Sequence, residues 1–140
     1  MDISDLGFDI ISLGHGSGGL MTRELLDSII FKVFCNPYLD QKHDGALIKV
    51  EGLLAVSTDS FVVSPIFFKG GNIGELAVNG TINDVAMCGA MPKYISLAFI
   101  VEEGLAVSEF VKIVKSIKST ADKCGVQILS LIHISEPTRL

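Results

Sequence analysis

Ile73-Gly74-Glu75-Leu76-Ala77-Val78-Asn79-Gly80-Thr81-Ile82-Asn83-Asp84-Val85-Ala86-Met87-Cys88-Gly89-Ala90-Met91-Pro92 is the stretch whose reading decides the fold. Ile73, Leu76, Ala77, Gly80 and Asp84 fall near one face at helical spacing, and Val78, Ile82, Val85, Ala86 and Gly89 broaden the apolar surface. Asn72 is positioned as an N-cap, Gly89 as a stop, and Pro92 forbids continuation. A helix apolar almost all round is expected to be buried. Asn83 and Asp84 inside it would then be costly unless something satisfies them. Either they bond neighbouring backbone, or the carboxylate holds a cation. Taken alone, neither reading prevails. Two more carboxylates, in Lys42-His43-Asp44-Gly45-Ala46 and Ser57-Thr58-Asp59-Ser60-Phe61, favour the cation.

The chain of 140 residues is long enough for one domain, or for part of a larger protein. Hydrophobic residues make up 49% of it, with a mean hydropathy of +0.52. That balance predicts a sizeable core plus apolar surface covered by a partner. No apolar run reaches membrane-spanning length, and the acidic Met1-Asp2-Ile3-Ser4-Asp5 start is unlike a signal peptide. Cys35, Cys88 and Cys124 are widely spaced, without CxxC, which fits a reducing cytoplasm and buried structural thiols. The net charge is −5 and there is no basic stripe. Lys112, Lys115 and Lys118 share a helix face that reads as solvated, which argues against nucleic acid as a partner.

Outward from the central helix, residues 9–13 form a short apolar run, followed by Gly14-His15-Gly16-Ser17-Gly18-Gly19 and a helix over about 21–34. Asn36-Pro37 ends that helix. Residues 46–50 and 53–58, separated by Glu51-Gly52, have the spacing of a hairpin. Residues 61–68 are apolar but interrupted by Pro65, as in an ordered loop or edge strand. Residues 94–101 read as a strand covered on both faces. An amphipathic helix over about 108–123 follows, with Phe110, Val111, Val114, Ile117, Ala121 and Cys124 inward and Gly125 as its C′ residue. Another strand begins at 126–129. Residues 130–140, Ser-Leu-Ile-His-Ile-Ser-Glu-Pro-Thr-Arg-Leu, have neither a core period nor a turn; they read as a non-native tail, and His133 carries no weight as a ligand.

The glycine segment formally matches G-x-G-x-x-G. The dinucleotide reading also needs an acidic residue at a strand end about 20 positions on, and Asp40 lies in a loop. Leu20 stands where a P-loop needs Lys, and His15 where a nucleophile elbow needs Gly. What remains is a flexible segment, Gly16 to Gly19, whose backbone N–H groups could fold over phosphates; the alternative is a disordered loop. His15 reads as a loop polar group rather than a metal ligand. Asp44, Asp59 and Asp84, with no Cys/His pattern around them, suit Mg²⁺ with phosphate oxygens and water better than Zn²⁺. Singly, each is an ordinary turn or cap residue.

Asp44-Gly45-Ala46, the run Thr58 to Pro65 and the run Asn83 to Pro92 resemble the ATP-binding superfamily of aminoimidazole ribonucleotide synthetase. Within it, His15 to Gly19, Asn36-Pro37-Tyr38-Leu39, Phe67-Phe68 and Phe99-Ile100-Val101-Glu102-Glu103-Gly104 resemble the hydrogenase-maturation carbamoyl dehydratase (HypE) family over roughly residues 9–129. The resemblance implies an α/β fold: a mixed sheet packed on helices, with the sheet used for homodimerisation. It implies that residues 1–129 are an N-terminal ATP-binding and dimerisation domain. It further implies dehydration of a carbamoyl group on a C-terminal cysteine to a thiocyanate, at the expense of ATP, for the cyanide ligands of [NiFe] hydrogenase. Asp44, Asp59 and Asp84 match Mg-ATP carboxylates, Asn83 would orient its neighbour or touch phosphate, and Gly16, Ser17, Gly18 and Gly19 match a mobile segment over the nucleotide. Carbamoyl-transfer and other hydrogenase-maturation proteins are the implied partners.

The match has departures. The family continues past the last strand with a Gly-Asp-Thr-Lys-like segment, then a second domain ending in Cys. Here residues 130–140 stand in that place, and none of Cys35, Cys88 and Cys124 matches the carrier. The chain therefore reads as an N-terminal half with no catalytic residue of its own assigned, from an enzymatic parent. A non-catalytic dimerisation or docking module is the alternative. A phosphotransferase relative such as selenophosphate synthetase ranks below both, because the glycine segment carries no Cys.

Overall fold

The computed structural model describes residues 6–42 and 45–135, with side-chain surroundings through residue 129. Asp44, one of the three proposed metal carboxylates, lies outside the described residues, as do 136–140 and the side chain of His133.

The first described segment, at residues 9–11, lies against the turn that precedes α4 (Val107–Cys124). Ile11 N–H donates to Leu105 O and Gly104 N–H to Ile11 O, both at 2.8 Å. A tight 3₁₀ turn, Leu13–Gly16, leads to a continuous helical run: α1 (Leu20–Leu25), a π-type stretch (Leu26–Ile30) and α2 (Phe31–Phe34). The wider π turn advances the buried stripe, so Leu25, Ile29, Ile30 and Phe34 face the core while Val33 is only half-buried. Asn36 closes the run. Its amide donates to Phe34 O and, across the fold, to Ile128 O at 2.9 Å, while its Oδ1 accepts from the N–H groups of Tyr38 and Leu39. One side chain thus ends a helix, starts a turn and ties both to the last strand.

A small antiparallel pair, β1 (Phe67–Phe68) and β2 (Gly71–Asn72), feeds α3 (Ile73–Met87). Asn72 caps α3 as expected, its Oδ1 accepting from Gly74 N–H at 2.8 Å and Glu75 N–H at 3.3 Å. Then come β3 (Tyr94–Ile100), α4 (Val107–Cys124) and β4 (Gln127–Ser135). β3 and β4 pair in parallel, with Tyr94 opposite Gln127 and Ile95 opposite Ile128. Gly125 ends α4 in the left-handed conformation at φ 68°, which favours Gly. The core forms where α4 meets the first helices and the β3–β4 pair: Val107, Phe110, Val111, Val114 and Ile117 against residues such as Leu25, Phe34, Ile95 and Ile128.

Several sequence expectations fail for one shared reason. No strand forms over 46–50 or 53–58; this stretch is irregular and exposed, with Leu47 at 94% and Leu53 at 104% of full exposure. Alternating apolar residues make a strand only when a neighbouring edge accepts their backbone groups, and the described chain offers none there. Helix α3 is consequently not buried all round; Gly74 and Val78 alone are fully inside, and Asn83 and Asp84 are exposed. β3 is packed on one face only, through Ile95, Leu97 and Phe99, while Tyr94, Ser96, Ala98 and Ile100 are exposed. Cys35, Cys88 and Cys124 are free and exposed rather than buried. The strand expected to begin at 126–129 starts at Gln127 and continues through Ser135, past the point where the side-chain pattern changes, because ladder pairing uses backbone groups whatever the side chains. Its register slips twice there, between Ile95 and Ser96 and between Leu97 and Phe99.

Candidate functional site

Two anchor points lay the 57–61 segment along α3. Ser57 Oγ donates to Asp84 Oδ2 at 3.4 Å near the C-terminal end of the helix. One turn earlier, the Phe61 ring covers Gly80 so closely that a Cβ added there would stand 2.7 Å from the ring. Gly80 is therefore a close-approach glycine in a helix interior, where Gly otherwise costs about 1 kcal/mol. Asp59 lies between the two anchors, on the segment that flanks Asn83 and Asp84. Both carboxylates are exposed, and among the described residues neither is paired with Lys or Arg. Their charge is left free for a cation from solution.

Mg²⁺ is commonly held by one or two carboxylates, with phosphate oxygens and water completing its shell. Asp59, Asp84 and the Ser57 hydroxyl fit that chemistry. Among the described residues no group of three or more His, Cys, Asp or Glu side chains is placed to hold a metal by itself. The structure thus brings the Asp59 segment to Asp84 and Asn83, while Asp44 lies outside what it describes. Sequence reasoning missed Ser57 and Phe61. The signal available for Phe61 was Gly80, a glycine inside an apolar helix.

The glycine segment is folded on its own neighbours. Ser17 Oγ donates to Gly14 O at 2.9 Å, and Gly18 N–H donates to Thr22 Oγ1 at 2.9 Å. Gly18 takes φ 81°, a left-handed conformation. Ser17, Gly18 and Gly19 are exposed and Gly16 is half-buried. His15, expected to be a loop polar group, is instead 1% exposed, with its ring 4.5 Å from that of Phe8. A small cavity of about 140 Å³ between the end of α2 and α4, lined by Cys35, Asn36, Lys118 and Asp122, shares no residue with either feature. It is smaller than the several hundred Å³ of a usual ligand site.

The loop leading toward residue 44 is held by charge. Lys42 Nζ donates to Asp27 Oδ1 at 2.6 Å and lies 5.5 Å above the Phe31 ring, while its backbone takes φ 49°. The hydrogen bond from Lys42, more than the nearby Arg23, lowers the pKa of Asp27 below its ordinary value of 3.8. A lowered folded-state pKa means the contribution is present above that ordinary value and is lost as the pH falls through the folded-state value. Asp27→Asn is expected to cost about 1 kcal/mol or less at neutral pH, as exposed pairs do. The difference from wild type should close as urea titrations are taken below pH 3.8. A gap that persists unchanged into strong acid would show that Asp27 acts through packing instead.

Residues 42–131 match the family described as AIR synthase related protein, N-terminal domain. The carbamoyl dehydratase HypE of Escherichia coli K12 is 44% identical over 126 residues, covering 86% of this chain and 38% of that protein. The crystal structure of the hydrogenase maturation protein HypE in complex with ATP superposes with a TM-score of 0.85 at 42% identity, over 92% of this chain and 39% of that one. The structure of a HypE–HypF complex superposes at a TM-score of 0.58 and 41% identity, covering 83% and 38%. The chain spans less than two fifths of the length of these relatives. Among the described residues no helix is long and apolar enough to cross a membrane.

Proposed function

We infer the function of this chain from its family: it belongs to the AIR synthase related proteins, with HypE carbamoyl dehydratases as homologues, and its reading as their N-terminal ATP-binding domain follows. The parent enzyme would convert a thiocarbamate on its C-terminal cysteine to a thiocyanate for the cyanide ligands of [NiFe] hydrogenase. ATP, when bound with Mg²⁺, would supply the activation: transfer of its terminal phosphoryl group to the carbamoyl oxygen would release ADP, and loss of phosphate together with the N–H protons would leave the nitrile. Asp59 and Asp84, with Asp44, hold the cation; Asn83 orients Asp84 or reaches phosphate; Gly16 to Gly19 cover the nucleotide and exclude water. The observation that supports this reading is the docking of the segment that carries Asp59 on α3, through Ser57 on Asp84 and Phe61 on Gly80. The ATP complex of a 42% identical relative supports the nucleotide. Residues 130–140 are read as foreign to that domain, and the protein as cytoplasmic. The test is ATP hydrolysis by the full-length protein with and without Mg²⁺; Mg²⁺-independent turnover would refute the metal role.

Dimerisation belongs to the same reading. Leu47, Leu53, Val56 and Val62 stand exposed along a segment whose pattern is that of strands awaiting a partner. A second copy pairing there would bury them, at roughly 25 cal/mol per Å² of apolar surface. Leu53→Asp is expected to convert a dimer to a monomer in size-exclusion light scattering, without a loss of helical circular dichroism. A variant that stays dimeric would place the contact elsewhere. The same apolar exposure favours a second reading, a docking module for a maturation partner, which the HypE–HypF relative supports. A full-length protein that binds such a partner but never hydrolyses ATP would decide for it.

A further inference from the structure

We propose that His15 is a positioning residue for the glycine segment, whose Nε2–H is held in reserve for a backbone carbonyl that reaches it when the segment closes over the nucleotide. The proposal rests on the reading of Gly16 to Gly19 as a nucleotide cover. His15 and Thr120 are the buried polar side chains among the described residues. Thr120 uses its hydroxyl on Ser116 O at 2.9 Å. His15 uses only one of its two ring nitrogens. Its Nδ1 accepts from Ser12 N–H at 3.0 Å, with Ser12 Oγ also at 3.0 Å. A backbone amide can only donate, so Nδ1 is the bare nitrogen and the ring proton sits on Nε2. Nε2 is buried and has no partner among the described residues.

An unpaired buried donor is costly, and an apolar side chain of similar size would avoid that cost. Packing against Phe8 and the reciprocal cap with Ser12 account for the ring and its Nδ1, but not for the buried Nε2–H. Its place in the chain does. His15 is the last buried side chain before Ser17, Gly18 and Gly19, which are exposed. Among the described residues they are held by short-range bonds: Ser17 to Gly14, Gly18 to Thr22, and Gly19 O accepting from Arg23 N–H at 3.1 Å. They can rearrange about Gly18 while Ser12 and the core keep the His15 ring in place. A ring fixed on one nitrogen and free on the other selects one closed arrangement of the segment from many, because only that arrangement satisfies the buried N–H.

The test uses the full-length protein. His15→Asn keeps an acceptor near the Nδ1 position for Ser12 N–H and lacks the distal donor. His15→Gln places an amide N–H near the Nε2 position. The expected result is about tenfold weaker binding of a non-hydrolysable ATP analogue with Mg²⁺ for His15→Asn, substantial recovery in His15→Gln, and unchanged melting temperatures without nucleotide. In the wild type, the ¹⁵N-labelled imidazole should show the proton on Nε2, with its resonance shifting and its exchange slowing when the analogue is added. An Nε2–H signal indifferent to the analogue overturns the proposal even if the variants fold poorly, since the donor is then satisfied in both states by water or not at all. Gly18→Ala separates the two levels. If it leaves analogue binding unchanged, the cover reading itself fails; if it weakens binding while both His15 variants match wild type, only the role of His15 falls.

Discussion

Asp84→Asn in the full-length protein is expected to abolish measurable ATP turnover, a fall of about 10²–10³-fold or more, while the fold and the proposed dimer persist. The side chain is exposed on α3, so the amide is as well solvated as the carboxylate. Its one side-chain contact, from Ser57 Oγ at 3.4 Å, can be accepted equally by an amide oxygen. Stability should therefore move by no more than about 0.5 kcal/mol, as for other surface substitutions. What the variant loses is one of the negative charges proposed to hold the cation. Steady-state hydrolysis, light scattering and a thermal melt on one preparation read all three quantities. Undiminished turnover would remove Asp84 from the proposed metal site, and with it the strongest chemical support for the functional reading. A low melting temperature would instead mean that α3 depends on the Ser57 contact more than its length implies.

The second large effect is structural. Gly74 lies in the first turn of α3 where that helix crosses α4. A Cβ built on it would stand 2.8 Å from Ile113 O, 2.9 Å from Ile117 Cγ1 and 3.0 Å from Asn72 Oδ1. The nearest of these is a helix carbonyl, which cannot rotate away. Ala should gain up to about 1 kcal/mol of helix propensity over Gly. Overpacking of this kind costs about 1–3 kcal/mol, and the capping oxygen of Asn72 is displaced as well. Packing is expected to win, so Gly74→Ala destabilises by about 1–2 kcal/mol. Gly74→Val should cost more, because its two methyl groups enlarge the same collision. Gly7→Ala, with nothing within 4 Å of the added carbon among the described residues, is the control. Urea unfolding reads the difference; equal midpoints for Gly74→Ala and Gly7→Ala would show that α3 and α4 separate without cost. Because α3 carries Asn83 and Asp84, a displaced helix should also weaken Mg-ATP binding.

The parts of the molecule legible in the sequence are those governed by short-range chemistry. Asn72 as a cap, Gly125 as a left-handed stop and Asn36-Pro37 as a helix end each follow from what one side chain or ring can do to its own backbone. The inner stripe of α4 follows from a period of 3.6, except that Cys124, at the last helical position, is exposed. The approach of the 57–61 segment to α3 was legible only as a resemblance, because no local rule brings residues so far apart in the chain together. The contacts that achieve it, Ser57 on Asp84 and Phe61 on Gly80, are non-local.

The alternation over residues 46–58 and the apolar girth of α3 state how much surface must be covered, and the sequence by itself determines that demand. It also determines the helices, their caps and the acidic residues available to a cation. Tertiary structure alone decided what covers each apolar face and which polar group ends inside. It left Leu47 and Leu53 open, turned one face of β3 outward, exposed all three thiols and buried His15. The physical reason is that burial is a property of the neighbour a residue finds, and neighbours are chosen by packing across the whole chain and its partners rather than by the residues on either side.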